Sequence, residues 1–196
     1  MEKYLKILLV LDKKSFSENA DIDENDFIKF SLSPDNELIP DIHENLPGKS
    51  IWAPANKTLI KYIQEREDVK AHFGVSHILN NDPVFLIKKI LRKKILASIS
   101  LAKKAGHLAI GLDTIKTQLI EKKHCLIVVA NGAKSLKNYS FFSSDTVSCY
   151  EYLLHQKDLE KSTGKNNVKY VGILSKNFKK TIQVDLNKLK GFMGND

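Results

Sequence analysis

The stretch from Leu96 to Gly132, LASISLAKKAGHLAIGLDTIKTQLIEKKHCLIVVANG, constrains the fold more than any other part of this chain. Its pattern predicts a helix, a short loop, a second helix and a buried strand that ends in a turn of small residues. The sequence Lys103-Lys104-Ala105-Gly106 is typical of a helix end, because glycine adopts the left-handed cap and lysines face the negative helix end. Gly111 immediately precedes the second helix.

That second helix start predicts a binding site for phosphate. The N–H groups of residues 112–115 begin the helix without partners inside it, and several lysines lie close to them in the sequence. We expect Lys103, Lys104 and Lys116 to converge on these N–H groups and to form a cradle for a sugar-phosphate strand. The alternative is a plain connection between two helices that Asp113 caps.

A long amphipathic helix is predicted before this stretch, from Val84 to Ala105. Asn80-Asn81-Asp82-Pro83 is a helix-start signal, and we also place the domain boundary there. The basic side chains of the helix either track a phosphate backbone or form an ordinary solvated face. The apolar face is expected to contain Ile87, Leu91, Ile95 and Leu101, and the basic face Lys88, Lys89, Arg92 and Lys93.

Strands alternate with helices through the rest of the chain, which indicates a layered α/β domain with a largely parallel sheet. The apolar loop over 150–154 either packs against an unstacked base or is simply buried with its strand. The predicted elements are a short helix over 134–138, a strand over 147–154, a helix from 155 that stops at Gly164, a strand over 168–174 and a closing helix over 175–190.

The segment over 27–80 is predicted to form a small α+β domain, after an irregular stretch over 1–26. FIKFSLS alternates in polarity and is followed by the turn sequence SPDN and by ELIP, a pattern typical of a β-hairpin. SIWA predicts a third strand, TLIKYIQER a helix that Asn56 opens, and residues 69–80 a weaker helix.

Charge is divided unevenly along the chain. Residues 81–196 contain 21 Lys and Arg against nine Asp and Glu, whereas residues 1–80 contain 10 against 14. A strongly basic half indicates a polyanionic partner. A composition biased toward lysine, which supplies 29 of the 31 basic residues, explains the choice of lysine over arginine but explains the uneven distribution less well.

The sequence lacks the motifs of several function classes. It has no apolar run long enough to cross a bilayer and no signal-peptide pattern, so we expect a cytoplasmic protein. The histidines and the two cysteines show no metal-ligand spacing, and there is no phosphate-binding loop or nucleophile motif. We therefore expect no catalysis, no metal or other cofactor, no small-molecule substrate and no membrane partner.

One ordered set of matches to a known family lies in the C-terminal half. These matches are LAKKAG at 101–106, Gly111, Ile115, LIVVA at 126–130 and the segment from Asp158 to Gly164. They resemble the kink-turn-binding ribosomal protein family (L-seven-Ae-like) and, within it, the bacterial YlxQ branch. The resemblance implies a three-layer α/β/α sandwich that binds RNA. At the second helix start, Leu112, Asp113 and Thr114 stand where kink-turn readers have Thr-Asn-Glu.

A second set of matches lies in the N-terminal half, at FIKF (27–30), SPDNELIPD (33–41) and LPGKSIW (46–52). It resembles the bacterial YlxR family, small proteins regarded as nucleic-acid binding, and the order of the two halves is similar to fused proteins of some bacteria. In the Pro-Gly turn, Lys49 replaces the family's arginine and keeps its charge. Trp52 either stacks on a base or is a core aromatic.

The expected fold class is therefore α/β, with a small α+β domain over 27–80 followed by a three-layer α/β/α sandwich over 84–190. The expected function is non-enzymatic binding of structured RNA in transcription, translation or RNA maturation, with the ribosome or an RNA-processing complex as a possible partner. The alternative is a protein-interaction module that uses the acidic segment 18–26 and Trp52. The expected RNA-binding residues are Lys49, Lys88, Lys89, Arg92, Lys103, Lys104, Gly111, Asp113, Thr114 and Lys116.

Overall fold

The computed structural model describes residues 23–79, 82–121, 125–139 and 147–193. It confirms an α/β protein. The described residues fall into two compact units, one formed by the residues up to Leu91 together with those from Asn187, and the other by Arg92–Leu186. Most of the irregular stretch expected over 1–26 lies outside the described residues; within it, Glu24–Asp26 form a short 3-10 turn.

A three-stranded antiparallel sheet organises the first unit. Strand β1 lies in the middle, and β2 and β3 pair with it on either side. Side chains that alternate along β1 and its neighbours, such as Ile28, Phe30 and Ile51, are buried on one face. The elements are β1 (Phe27–Leu32), β2 (Leu38–Pro40), β3 (Ser50–Pro54), α1 (Lys57–Ile63) and α2 (Glu67–Phe73).

Local signals explain where these elements begin and end. The predicted hairpin is confirmed, and Asn36 in its turn has a φ of 62°. The Asn56 side chain accepts hydrogen bonds from the N–H groups of Thr58 and Leu59, so it caps α1 as expected. The weak helix predicted over 69–80 is instead α2, which ends at Gly74 because this glycine adopts a left-handed conformation with a φ of 77°.

Helix α3 (Pro83–Lys104) confirms the predicted long helix and its start, because the Asp82 carboxylate accepts a hydrogen bond from the Phe85 N–H. One residue of the expected apolar face is wrong: Leu101 is 57% exposed, and Ile99 and Ala102 are buried instead. With 3.6 residues per turn, the position six residues after Ile95 faces away from the core.

The two units divide within α3, and not near 80–83 as the sequence suggested. The helix that Asp82-Pro83 starts packs first in one unit, through Ile87 and Leu91, and then continues into the other. The last helix returns to the first unit, where Gly191 lies so close to the Ala55 carbonyl that no side chain fits between them.

The second unit contains a four-stranded sheet of order β4-β7-β5-β6. Only β5 and β6 are parallel, whereas β7 runs antiparallel to both β4 and β5, so the expectation of a largely parallel sheet is wrong. Hydrophobic patterns indicate that a strand is buried but carry no information about its direction. The elements are β4 (Leu108–Ile110), α4 (Leu112–Glu121), β5 (Cys125–Val129), β6 (Val147–Glu151), α5 (Gln156–Thr163), β7 (Tyr170–Ile173) and α6 (Lys176–Gly191).

Strand β5 forms the centre of the core. All five of its residues are buried, and Cys125, Ile127 and Val129 pack in one cluster with Ile115 of α4. Leu126 and Val128, on the opposite face, are also fully buried, as a three-layer α/β/α arrangement requires. Helix α4 approaches the sheet so closely that a Cβ atom at Gly172 would lie 3.0 Å from Ile115 Cγ1.

Two local predictions in this unit are wrong. The segment over 134–138 forms turns and no helix, because Glu151 of β6 binds it: its carboxylate accepts from the Ser135 hydroxyl at 2.8 and 2.9 Å and from the Leu136 N–H at 2.6 Å. The residues of β4 were expected to form a loop and are a strand instead. They escaped prediction because the strand contains only three residues between two glycine turns.

None of the helices that the structure describes combines the length and hydropathy needed to cross a membrane.

Candidate nucleic-acid interface

One end of the four-stranded sheet gathers the chain segments most relevant to binding. Strands β4, β5 and β6 all finish at this end and β7 begins there, because Val129 pairs with both Tyr170 and Glu151 in the sheet register. Helix α4 also begins there, immediately after β4. We call this end of the sheet the Gly111 edge.

Backbone hydrogen bonds hold the segments of the Gly111 edge together. One bond connects the start of α4 to β7. Two bonds connect the loop after β5 to the residue before β7 and to the loop after β6. A fourth bond connects the loop after β6 to the end of β5. The loops are therefore fixed relative to the sheet, which favours a preformed surface. The bonds run from Gly111 N to Tyr170 O (3.0 Å), Ala130 N to Lys169 O (2.9 Å), Asn131 N to Leu154 O (2.8 Å) and Tyr152 N to Val129 O (2.9 Å).

Gly111 opens α4 with a φ of 92°, a left-handed conformation that glycine adopts without strain. Its own N–H donates to Tyr170 O, and its carbonyl accepts from the Ile115 N–H at 3.1 Å. The N–H groups of Gly111 and Ile115 are therefore used by the fold, and those of residues 112–114 form the open first turn. Thr114 in that turn is exposed.

Two lysines flank one aromatic ring beside this helix start. Lys116 Nζ lies 5.9 Å and Lys134 Nζ 5.8 Å from the centroid of the Tyr139 ring, within the range of cation–π interactions. Tyr170 fixes the loop that carries Lys134, because its hydroxyl donates to the Lys134 carbonyl at 2.9 Å. We call these five residues, Gly111, Lys116, Lys134, Tyr139 and Tyr170, the Tyr139 surface.

Two described carboxylates lie at the Gly111 edge, and one of them is already bound. Asp113 is exposed in the first turn of α4, a position that the helix dipole favours for a negative charge. It would compete with a phosphate for the free N–H groups. Glu151 directs its carboxylate to Ser135 and Leu136 and so holds the loop that carries Lys134. The Lys116 and Lys134 ammonium groups place two positive charges beside the ring.

The expected convergence of Lys103 and Lys104 with Gly111 is wrong. After Gly106, whose φ of 73° ends α3 as predicted, the His107 carbonyl accepts from the Leu174 N–H at the far end of β7. Strand β4 then runs from there to Gly111, so the lysine pair and the start of α4 lie at opposite ends of a strand. The ammonium of Lys103 donates to the Thr163 carbonyl, at the C-terminal end of α5.

The other expected contact residues belong to elements other than those that form the Gly111 edge. Lys49 is exposed in a turn of the first unit, and its ammonium donates to the His72 carbonyl at 3.0 Å. Lys88 and Lys89 belong to the part of α3 in the same unit, whereas Arg92 belongs to the second unit. Lys89 is exposed, and Lys88 and Arg92 are half-buried.

Sequence reasoning missed Lys134, Tyr139 and Tyr170. A signal was present, because the segment after the most apolar strand often contributes a loop to the functional end of an α/β sheet. In the apolar loop after β6, Leu153 and Leu154 are buried, which fits the alternative of burial with the strand. Tyr152 between them and the strand is 38% exposed and has a φ of 66°.

The acidic segment of the alternative hypothesis lies partly outside the described residues. Within them, the Asp23 carboxylate accepts from the Asn25 N–H at 2.9 Å, so it caps a local turn. Trp52 is half-buried on β3, where its backbone lies opposite Lys29 of β1 in the sheet register. These contacts are local, and the protein-interaction alternative stays a prediction from the sequence.

The comparisons with protein families and with curated proteins identify no relative. No protein-family model matches the chain, and no curated protein matches it significantly. The described residues include no group of three or more histidines, cysteines and carboxylates that could hold a metal. The resemblances to YlxR proteins and to kink-turn-binding ribosomal proteins therefore stay predictions from the sequence.

Proposed function

We propose that this chain is a non-enzymatic RNA-binding protein whose second unit contacts structured RNA through the Tyr139 surface. The observation that carries the proposal is the pair of lysine ammonium groups beside one tyrosine ring, at the sheet end where α4 begins. The function rests on this local chemistry, because an α/β fold by itself is compatible with many activities.

The two ammonium groups suit a phosphate backbone. Neither forms an ion pair with a carboxylate in the part of the chain that the structure describes. Both are therefore free to exchange a bound counterion for a phosphate, and the release of counterions drives binding to nucleic acids. Lysine is a point charge, so these contacts position an RNA strand without reading its sequence.

Aromatic residues at the same sheet end suit unpaired bases. Exposed bases of structured RNA stack on tyrosine rings in many RNA-binding proteins. Tyr152 is exposed and held at a positive φ by its N–H bond to Val129, a backbone conformation that is uncommon for a bulky residue and often marks functional positions. We assign phosphate contact to Lys116 and Lys134 and base contact to Tyr152.

The wider charge distribution supports a polyanionic partner, since residues 81–196 contain 21 basic and nine acidic residues. The sequence resemblance extends the proposal to its setting. It points to ribosomal RNA or to another stable RNA in a processing complex in the cytoplasm.

An electrophoretic mobility experiment tests the proposal. The unaltered chain, a Lys116→Gln and Lys134→Gln double variant and a Lys176→Gln and Lys180→Gln double variant are titrated into total structured RNA. Lys176 and Lys180 are exposed on α6, which follows the end of β7 opposite the Gly111 edge. This variant therefore loses the same charge as the Lys116 and Lys134 variant, but away from the Tyr139 surface. Repetition from about 50 to about 300 mM salt gives the salt slope of each chain.

We expect the Lys116 and Lys134 variant to bind about tenfold more weakly and to lower the salt slope by about two, because each substituted lysine leaves one phosphate without its cation. The α6 variant should stay close to the unaltered chain. Equal losses of RNA affinity in both double variants would show that only net charge matters, and would contradict a site at the Tyr139 surface. No binding of the unaltered chain even at low salt would favour the protein-interaction alternative.

A further inference from the structure

The first unit contains a cleft of about 630 Å³ that the RNA-binding proposal does not use. It lies beside the three-stranded sheet, next to the Pro47-Gly48 turn and the end of α2. Its volume is typical of sites for small organic molecules. The residues that matter to its chemistry are Ser31, Ile39, Leu46, Pro47, Lys49 and Phe73, and we call it the Ser31 cleft.

Ser31 gives the cleft a polar group that the fold leaves unused. The residue is 3% exposed, and its hydroxyl has no hydrogen-bond partner among the described residues. Its backbone lies in the middle of the sheet, between Ile39 and Ser50. A buried hydroxyl without a partner destabilises a protein, so a ligand that supplies the partner would gain affinity.

The wall around Leu46 is held in place before any ligand binds. The Leu46 N–H donates to Asp41 Oδ2 at 3.0 Å, and the Leu46 carbonyl accepts from Lys29 Nζ at 3.1 Å. Lys29 and Asp41 also pair with each other at 3.0 Å. This wall and Phe73 are apolar and suit a flat ring, and a preformed wall lowers the entropy lost on binding.

Lys49 supplies the positive charge of the cleft. Its ammonium donates one bond to the His72 carbonyl at 3.0 Å, and an ammonium has three donors, so further donors remain for a ligand. His72 is itself fixed, because its Nε2 lies 3.1 Å from the Ser50 carbonyl. None of the described residues that line the cleft is acidic. The charge therefore favours a ligand with an anionic group.

We propose that the Ser31 cleft binds one nucleoside monophosphate unit. The base lies against the apolar wall and Phe73, its polar edge bonds the Ser31 hydroxyl, and the phosphate binds the Lys49 ammonium. The unit is either a free mononucleotide or an unpaired nucleotide of an RNA strand. The proposal stands apart from the Tyr139 surface, since the two share no residue.

Isothermal titration calorimetry of the full chain tests this assignment. The titrants are AMP, GMP, CMP and UMP, then the matching nucleosides, and finally short single-stranded oligoribonucleotides. The chain should also carry Lys116→Gln and Lys134→Gln in a parallel series, so that binding at the Ser31 cleft is measured without the Tyr139 surface. Binding that persists in this series would separate the cleft from the proposed function.

Two variants report on the two polar contacts. We expect Ser31→Ala to weaken binding about tenfold while the melting temperature stays unchanged or rises, because the variant removes a buried hydroxyl without a partner. Lys49→Gln should weaken nucleotide binding by about the same factor and leave the weaker nucleoside binding unchanged. Ser76→Ala and Lys180→Gln, both at exposed positions outside the cleft, are the matched controls.

Binding of mononucleotides identifies a free nucleotide as the ligand, and binding of oligoribonucleotides alone identifies RNA; either supports the cleft if both variants weaken it. The proposal is overturned if neither titrant binds at about 1 mM, a threshold that corresponds to about −4 kcal/mol. It is equally overturned if Ser31→Ala and Lys49→Gln bind like their controls.

Discussion

One lysine of the first unit and two lysines of the second unit have opposite uses. In the first unit, Lys29 is almost buried and pairs with Asp41, whose side chain is 2% exposed, so the charge serves the fold. In the second unit, Lys116 and Lys134 lie beside Tyr139 without an ion pair to any described carboxylate, so the charge serves the surface. The number of lysines in a segment therefore does not show which of them bind a partner.

The second unit also contains lysines of the first kind. Lys94 pairs with Asp185, which is 1% exposed, at 2.9 Å, and Lys103 bonds the Thr163 carbonyl at the end of α5. A cation at the C-terminal end of a helix compensates the carbonyls that lack partners there. Lys103 thus differs from Lys116, although the two are only 13 positions apart in the sequence.

The largest effect is expected where a structural ion pair is broken. Asp41→Ala removes the carboxylate that pairs with the Lys29 ammonium and leaves the Leu46 and Asn45 N–H groups without their acceptor. It should lower the free energy of unfolding by about 3 kcal/mol. Urea denaturation measures the change, and Asp35→Ala in an exposed turn is the control. Similar small losses in both variants would show that Lys29 and Asp41 do not stabilise the unit.

The start of α4 is tested next. Gly111→Val places a β-branched residue at a φ of 92°, which should cost about 2 kcal/mol in stability and weaken RNA binding. The cost is conformational, because a Cβ atom there would meet nothing within 4 Å. Gly111→Asn tolerates this backbone better and should cost less than about 1 kcal/mol. Equal costs in thermal denaturation would contradict this explanation.

The contrast between the two kinds of lysine gives a third prediction. Lys103→Gln with Lys104→Gln should change RNA affinity less than about twofold, while the double variant at Lys116 and Lys134 loses about tenfold, or about 1.4 kcal/mol. The first pair should instead lower stability slightly, since the bond to Thr163 is removed. A tenfold loss from Lys103 and Lys104 would move the RNA site to the other end of β4.

The smallest expected effect is a dependence on pH. Burial alone would raise the pKa of Asp41, but the Lys29 ammonium and the Leu46 and Asn45 N–H groups hold that pKa below its ordinary value of 3.8. The folded state therefore binds this proton less readily than the unfolded chain does. Its stabilisation is complete above pH 3.8 and is lost as the pH falls through the lower folded-state pKa.

Urea midpoints of the unaltered chain and of Asp41→Ala at about pH 6 and about pH 3 check this sign. The difference in urea midpoint between the unaltered protein and Asp41→Ala should be smaller at about pH 3 than at about pH 6. A gap that stays constant would mean that the Asp41 carboxylate does not titrate with folding.

Elements with strong local signals were predictable. The caps at Asn56 and Asp82, the glycine end of α3 and the apolar run of β5 lie where the sequence suggests. Strand β4 was not predictable, because a pattern of three residues does not distinguish a strand from a loop. Because β4 was not predicted, Lys103 was expected to lie near Gly111, whereas the strand separates the two.

The candidate site was only partly predictable. Gly111 and Lys116 could be selected, because a glycine before an amphipathic segment marks a helix start. For Lys134 and Tyr139 the sequence indicates only a loop after an apolar strand. Their place beside Lys116 depends on the bond from Tyr170 to the Lys134 carbonyl and on the Glu151 carboxylate. The Ser31 cleft depends in the same way on residues from two strands, a turn and a helix end.

The sequence by itself determined the alternation of helices and strands, the helix ends and the excess of positive charge, because each of these follows from residues close together in the chain. Only the tertiary structure decided the strand directions, the lysines that share the Tyr139 ring and the hydroxyl that Ser31 leaves unpaired. The reason is physical: these features depend on which distant segments pair in the sheets, and a local pattern does not specify its distant partner.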